Sequence, residues 1–429
     1  MIKTLILIAI ILISPVLTAQ ENELSLAGAL KTGLENNYQI RISDQNLQIA
    51  RNNNSWGNAG MFPLVSAGAS QNNIYTDLLN DVSSTNNLTP YLRLNWTLFD
   101  GLSVHITKER FEYIQELTEG NVALMVENTI QAIVLAYYNA LLQQQNLDVV
   151  TELMDLSRDR YDYEQTKKEL GSSVSFDVLQ AKTNYLTDSS NYLLQKLAYE
   201  NSIRNLNLIL ATPSENTYEL TEEFAFLAPD YEYDSLKSAM QGNNKTLMNQ
   251  YINQELLKND VSLQKSALYP TVSLSSGMEY GIGRRETPLG GVQNTNSLDA
   301  YANLSLSYTL SNGGRIQRAI KNAKIQEQIG QLETDELIHT LNNRLFNTYE
   351  LYKARKELYS VTIENENAAR LNMTIAQEKY NLGAINSFNY RDIQLIFLNA
   401  ALNKLQALYS LIDSHTELMR LTGRIIDEY

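Results

Sequence analysis

An α+β chain made of two copies of one unit, each pairing two short amphipathic strands with a long helical hairpin, is what this sequence predicts. Three observations carry the prediction. Short motifs recur in the same order in both halves, proline avoids two long zones, and the apolar period changes from two residues to between three and four.

The recurrence comes first because it organises the rest. FPLVSAGAS at 62–70 returns as YPTVSLSSG at 269–277, and LNWTLFDG at 94–101 returns as LSYTLSNG at 306–313. Leu170-Gly171 with Phe176 is echoed by Leu382-Gly383 with Phe388. All three pairs keep an offset of about 210 residues, as a tandem duplication would. Each half then reads as a helical lead-in, a strand opened by proline, a loop, a strand closed by glycine, and a helix broken at Leu-Gly. The resulting boundaries are a leader at 1–19, a first repeat at 20–220 and a second at 221–429. Strands fall at about 63–76 and 89–99 in the first repeat, with a helical hairpin at about 102–210 whose tip is near Gly171. In the second they fall at about 270–282 and 299–310, with a hairpin at about 314–424 and a tip near Gly383.

The helices follow from proline placement and spacing. Pro15, Pro63, Pro90, Pro213, Pro229, Pro270 and Pro288 leave no proline between 90 and 213 or after 288. Within the first zone Val122, Val126, Ile130, Ile133, Tyr137 and Leu141 step by three or four, one face of a helix. About 70 helical residues make a rod of roughly 100 Å, longer than an ordinary helical bundle needs. Beyond each break the repeat tightens to sevens. Leu179, Leu186 and Leu193 run beside Tyr185, Tyr192 and Tyr199, and Leu395, Leu398, Leu402, Leu405, Tyr409 and Ile412 form a similar stripe. That spacing favours left-handed supercoiling against a neighbouring helix.

The strands alternate. Leu92, Leu94, Trp96 and Leu98 oppose Arg93, Asn95 and Thr97, and Leu304, Leu306, Tyr308 and Leu310 oppose Asn303, Ser305, Ser307 and Thr309. The segments TDLLNDVSSTNN and GRRETPLGGVQNTNS read as long polar loops. One apolar and one small polar face suits either half-buried strands of a soluble sandwich or an outer-membrane barrel, and alternation alone does not separate them. In a membrane, four strands could not close, so insertion would demand several copies.

Composition sets outer limits. The chain has 429 residues, 44% of them hydrophobic, and a formal charge of −14, without a basic block to hold nucleic acid. It contains no cysteine, which removes disulfides, thiolate chemistry, sulfur-ligated metals and an acylated N-terminal cysteine. At the start, Lys3, the apolar run Leu5 to Ile13 and small Ala19 before Gln20 read as a secretory signal. The run falls short of the roughly 20 residues a spanning helix needs. No later segment is expected to be a transmembrane helix.

The strand entries FP and YP, the strand ends L-F-D-G and L-S-N-G, and the LG breaks followed by S-F-D and S-F-N resemble the TolC-type outer membrane factors over about residues 22–425. The resemblance implies an α+β membrane protein that assembles as a homotrimer. Its twelve-stranded β-barrel, four strands per subunit, would be continued by a long coiled-coil tunnel across the periplasm of a Gram-negative-type envelope. It implies an outer membrane channel for tripartite efflux or type I secretion. The channel would be a passive duct opened by a periplasmic adaptor (membrane fusion) protein and an inner-membrane pump. No enzyme activity, metal or cofactor is implied. Leu92, Leu94, Trp96, Leu98, Leu304, Leu306, Tyr308 and Leu310 would face outer membrane lipid.

Two departures from the family pattern bear on the site. The lead-in turns at Asn36-Asn37-Tyr38 and Asn243-Asn244-Lys245 lack the usual proline. The two positions near the second tip where relatives place constricting aspartates are Asn389 and Asp392, and their first-repeat counterparts are Asp177 and Gln180. Three copies of Asp392 around a narrow lumen would repel one another and attract cations. Tyr380 would hold the closed coils by reaching the neighbouring hairpin near Asp177. Alternatively, both aspartates simply favour the first turn of a returning helix. Gly171, Ser172, Gly383 and Ala384 mark the tips where an adaptor would dock, with Ser172, Ser173 or Ser175 expected to cap the helix after the first break.

Catalytic readings find no support. His105, His339 and His415 are far apart, metalloprotease, nucleophile-elbow and phosphate-loop patterns are absent, and GRRETPLGG reads as a turn. The competing reading is an exported, soluble coiled-coil interaction protein. It explains the leader, helices and acidity but leaves the matched amphipathic strand pairs unexplained. A monomeric porin would not use so much helix.

Overall fold

The computed structural model describes residues 22–78, 81–287 and 290–429, so the expected leader at 1–19 lies outside the described residues. In chain order the elements are β1 (Asn22–Leu24), α1 (Leu26–Asn36), α2 (Tyr38–Asn53), β2 (Leu64–Leu78), β3 (Asp81–Phe99), α3 (Ser103–Glu169) and α4 (Ser175–Leu210). They continue with β4 (Tyr218–Leu220), α5 (Tyr233–Asn243), α6 (Lys245–Ser266), β5 (Thr271–Thr287), β6 (Gly291–Ser307), α7 (Arg315–Asn381), α8 (Ser387–Leu421) and α9 (Ile425–Glu428). Helices α3 and α7 each run 67 residues. The chain divides into two compact units, one of Ile42–Ala123 with Lys245–Thr340 and one of the residues up to Arg41, Leu124–Asn244 and Leu341–Tyr429.

The first unit holds a four-stranded antiparallel sheet in the order β2-β3-β5-β6. Pairing carries each face of the alternation across the strands. Trp96, Leu274 and Leu304 form one row, and Leu92, Met278 and Ala300 another, all on the apolar side. Ser66, Arg93, Gly277 and Tyr301 form a row on the polar side. The strands run through most of the segments that read as polar loops. Asn86 and Asn87 pair with Asn73 and Asn72, and Asn294 pairs with Arg284. Backbone hydrogen bonds to a neighbouring strand do not need a hydrophobic period, so Asn-, Ser- and Thr-rich stretches extend the hairpins. At the other end β6 stops at Ser307, leaving Tyr308 and Leu310 beyond it, both exposed.

A bulge between Thr97 and Phe99 shifts the register at the foot of β3, and Trp96 donates its indole hydrogen to the Met61 carbonyl at 2.9 Å. Gly101 follows in the left-handed region (φ 70°) with the Ser266 carbonyl where a Cβ would stand, so only glycine fits this turn. Asn259 and Asn249 tie α6 to α3 through Ile106 and Asn121.

The second unit is helical. Ile133, Tyr137 and Leu141 of α3 are buried, as their spacing predicts, together with Leu206 and Leu210 of α4 and Leu408, Leu411 and Ile412 of α8. Each such side chain withdrawn from water contributes about 1.5–3 kcal/mol. Tyr137 donates to the Leu24 carbonyl at 2.7 Å, anchoring β1, which pairs in parallel with β4. At the two turns lacking proline, asparagine does the joining. The Asn37 side chain caps α2 by accepting from the Gln39 amide at 2.8 Å, and it also donates to the Ile209 carbonyl. Asn244 donates in the same way to the Leu421 carbonyl.

The buried apolar residues of α8 include Phe397, Ala400, Ala401, Ala407, Leu408, Leu411 and Ile412; of the expected stripe, Ile412 is buried, Leu398, Leu402, Leu405 and Tyr409 are half-buried, and Leu395 is exposed. Leu398 and Leu402 line one cavity with Val150 and Leu153 of α3 and Leu194 of α4. In addition, α8 is long and apolar enough to cross a membrane by length and composition, although none was expected. Its buried face and its ion pair to α4, described below, show it packed within the helical unit.

Candidate functional site at the hairpin tips

Both long helices end with the same backbone device. At the first tip the Gly171 amide donates to the Lys168 carbonyl and the Ser172 amide to Lys167. At the second, Gly383 donates to Tyr380 and Ala384 to Lys379. These are paired Schellman bonds around a glycine with φ of 73° in each case. The restarts differ. Asn386 caps α8 by accepting from the Asn389 amide at 2.9 Å, whereas Val174 stands at the cap position before α4 and offers no side-chain cap. The expected serine cap is therefore absent. Ser172 bonds the Lys167 carbonyl instead, and Ser173 gives its hydroxyl to the Glu164 carboxylate at 2.7 Å.

Glu164 is the centre of the first cluster. Its carboxylate also accepts from the Tyr380 hydroxyl at 2.6 Å and lies 3.7 Å from Lys167. Burial pushes this carboxyl up, but the bonds from Tyr380 and Ser173 and the charges of Lys167 and Arg160 outweigh it and hold it below the ordinary glutamate value. Burial and the bond to Glu164 push the Tyr380 phenol well above its usual value, so it remains a donor. The Tyr380 ring stacks on Tyr390 with centroids 4.7 Å apart, and Tyr163 meets it edge-on. Tyr380 and Tyr390 belong to a buried group with Met373, Ala376, Phe397 and Ala400.

A second cluster joins three helices. Arg391 of α8 makes two 2.7 Å bonds to the Asp188 carboxylate of α4, and Ser157 of α3 donates to that carboxylate and lies 3.3 Å from Arg391. Asp188 is 1% exposed and the Arg391 side chain 13%, so this is a buried bidentate pair. Arg160 is also buried, and burial lowers its affinity for the proton it carries. The clusters fasten α7 and α8 to α3 and α4.

The sequence-derived residues fall around these clusters. Phe176 and Phe388 bring the two tips together with ring centroids 6.2 Å apart. Asp177 sits in the first turn of α4 and is half-buried, as is Gln180, which bonds Asn184. Asn389 and Asp392 are exposed in this chain, and Asp392 lies beyond the first turn of α8, so favouring a helix start does not account for it. Gly171, Ser172, Gly383 and Ala384 are exposed at the tips. Tyr380 reaches the first hairpin through Glu164 on α3 rather than beside Asp177 on α4. Glu164, Asp188, Arg391 and Ser157 escaped sequence reading because charges inside long polar helices look like solvated surface. No group of three or more His, Cys, Asp or Glu side chains able to hold a metal ion occurs among the described residues.

Long helical hairpins and an amphipathic four-stranded antiparallel sheet make this an α+β protein by class. The model of the outer membrane efflux protein family matches residues 29–212 and 236–424, and the chain belongs to that family. No curated protein matches the sequence closely enough to report. Among solved structures, the Campylobacter jejuni CmeC outer membrane channel superposes with a TM-score of 0.75 at 17% identity, over 93% of this chain and 86% of that one. CusC, solved in a study of folding and transmembrane channel formation, gives 0.78 at 15% identity over 93% and 92%. The open state of the Neisseria gonorrhoeae MtrE outer membrane channel gives 0.74 at 14% identity over 93% and 89%. These likenesses concern the fold. Family and fold together make this an outer membrane protein of the efflux channel type, with channel proteins rather than enzymes as its relatives.

Proposed function

We propose that three copies of this chain close a twelve-stranded barrel in the outer membrane. The helices continue it as a periplasmic tunnel, forming a passive exit duct that a periplasmic adaptor and an inner-membrane pump open during efflux or type I secretion. The observation that carries the reading is the four-stranded sheet. It has one apolar and one polar face, and β2 and β6 each have a strand partner on one side only among the described residues. In lipid each unpaired backbone group costs several kcal/mol, and joining β6 of one copy to β2 of the next removes that cost. The outward leucines of α4, Leu179, Leu186, Leu193 and Leu197, are exposed in the single chain and fit burial against a neighbouring copy.

At the tunnel end, Asp392 with Asn389, and Asp177 with Gln180, form the constriction, and Tyr380 keeps it shut through Glu164. The adaptor docks at Gly171, Ser172, Gly383 and Ala384. Leu92, Leu94, Trp96, Leu98, Leu304 and Leu306 face lipid, with Tyr308 and Leu310 at the barrel margin. Purified protein in planar bilayers tests this. Wild-type channels are blocked by divalent cations from the tip side, and Asp392→Ala weakens that block. Unchanged block removes Asp392 from the constriction, and failure to form any channel removes the duct reading.

A further inference from the structure

The polar face of the sheet carries a built arrangement that the tip constriction does not explain. Strand pairing sets Gly68, Tyr91, Glu279 and Asp299 in one row and Ser66, Arg93, Gly277 and Tyr301 in the next. Tyr91 leans over Gly68, where an added Cβ would lie 2.6 Å from its hydroxyl, and Tyr301 leans likewise over Gly277 at 2.9 Å. Both rings therefore lie along the wall instead of projecting from it. The Arg93 guanidinium covers the Tyr91 ring, 4.0 Å from its centroid, and donates twice to Glu279, at 2.7 and 3.0 Å. Asp299 has no cation partner in these rows, and among the described residues its carboxylate accepts from Ser297, at 3.2 Å. The next charge on this face is Arg285, six residues along β5 from Glu279 and so about 20 Å away.

We infer that Arg93, Glu279 and Asp299 form a charge girdle on the lumen wall of the barrel that sets its preference for small cations over anions. Arg93 is held flat on Tyr91 and neutralised by Glu279. The inference rests on the assembled-barrel reading above. The flat tyrosines keep the passage wide, so the girdle acts through charge and not by narrowing. One net negative charge per chain comes from Asp299, and threefold assembly repeats it around the ring. Fixed rings of acidic side chains favour cations in a water-filled pore, and the influence reaches about 8 Å into the lumen at physiological salt.

The test is the potassium-to-chloride permeability ratio of the full-length protein in planar bilayers. It is measured in the wild-type background and again with Asp392→Ala, so that the tips do not conceal the barrel. Glu279→Gln unmasks Arg93 and lowers the ratio about two- to fivefold, whereas Arg93→Gln raises it by a similar factor. The double variant Arg93→Gln/Glu279→Gln returns to the wild-type ratio because the pair is internally neutral. Asp299→Asn, which leaves the tyrosine-arginine stack untouched, lowers the ratio like Glu279→Gln. Arg93→Lys retains the charge and keeps the ratio, which separates charge from packing. Unchanged ratios in Asp299→Asn and Glu279→Gln would overturn the girdle while leaving the duct intact, and so would a double variant as altered as either single one. Absence of any wild-type channel would instead overturn the barrel reading.

Discussion

Removing Arg391 exposes how much the tip depends on one buried ion pair. In Arg391→Leu the Asp188 carboxylate, 1% exposed, keeps only the Ser157 hydroxyl as a partner among the described residues. At 2.7 Å the pair attracts by roughly 6 kcal/mol at an effective dielectric of 20, an attraction largely offset by the desolvation of both ions. Stranding one partner is costlier than removing both, and typically destabilises by about 3–5 kcal/mol. Hydrogen exchange reads this directly. Amide protection over residues 175–195 and 387–400 should fall by about a hundred- to a thousandfold or more, at 1.4 kcal/mol per tenfold change, limited only by the local opening energy. Arg391→Leu/Asp188→Leu should recover most of the loss, because no buried charge is left behind. Unchanged protection in the single variant, or a double variant as labile as the single, would refute the reasoning.

Further outcomes follow from the same geometry. Tyr380→Phe keeps the stack on Tyr390 but withdraws a donor from buried Glu164. It should weaken the α3–α7 contact by about 1.5–3 kcal/mol and raise channel open probability in bilayers. His415 is fully buried against Tyr231 and Phe226 with Glu428 at 3.6 Å, and burial lowers its proton affinity to about 4 from 6.5. It is therefore neutral in the fold and charged when unfolded below 6.5. Its contribution is present above pH 6.5 and is lost as pH falls towards 4, about 3 kcal/mol in all. Denaturant midpoints across that window should drop in the wild type and stay flatter in His415→Gln. Gly101→Ala forces a Cβ into the Ser266 carbonyl at positive φ, should cost at least about 2 kcal/mol, and should reduce the yield of heat-modifiable assembly on gels.

The legible parts of this protein were those with a period or a punctuation mark. Ile133 and Tyr137 announced the buried face of α3, and the glycines at 171 and 383 announced both helix ends, because positive φ after a polar last turn has few other solutions. The hairpin ends of the sheet were illegible, since Asn72, Asn87 and Asn294 carry ladder bonds without hydrophobic alternation. On α8 the heptad stripe reached buried Ile412, but Ala400, Ala401 and Phe397, also buried, fall outside that spacing. The tip site was half visible. Tyr380 stood out by its position, but its partner Glu164 and the pair Asp188–Arg391 lie some 200 residues apart in sequence, and only folding brings them together.

The central claim is that the open sheet closes by assembly into a membrane pore. Mass measurement of the detergent-solubilised, unheated protein, combined with bilayer recording of the same fraction, tests it most directly. The expected result is a trimer that converts to monomer only on heating and gives stepwise channel currents. A monomer released from membranes by salt and silent in bilayers would contradict it.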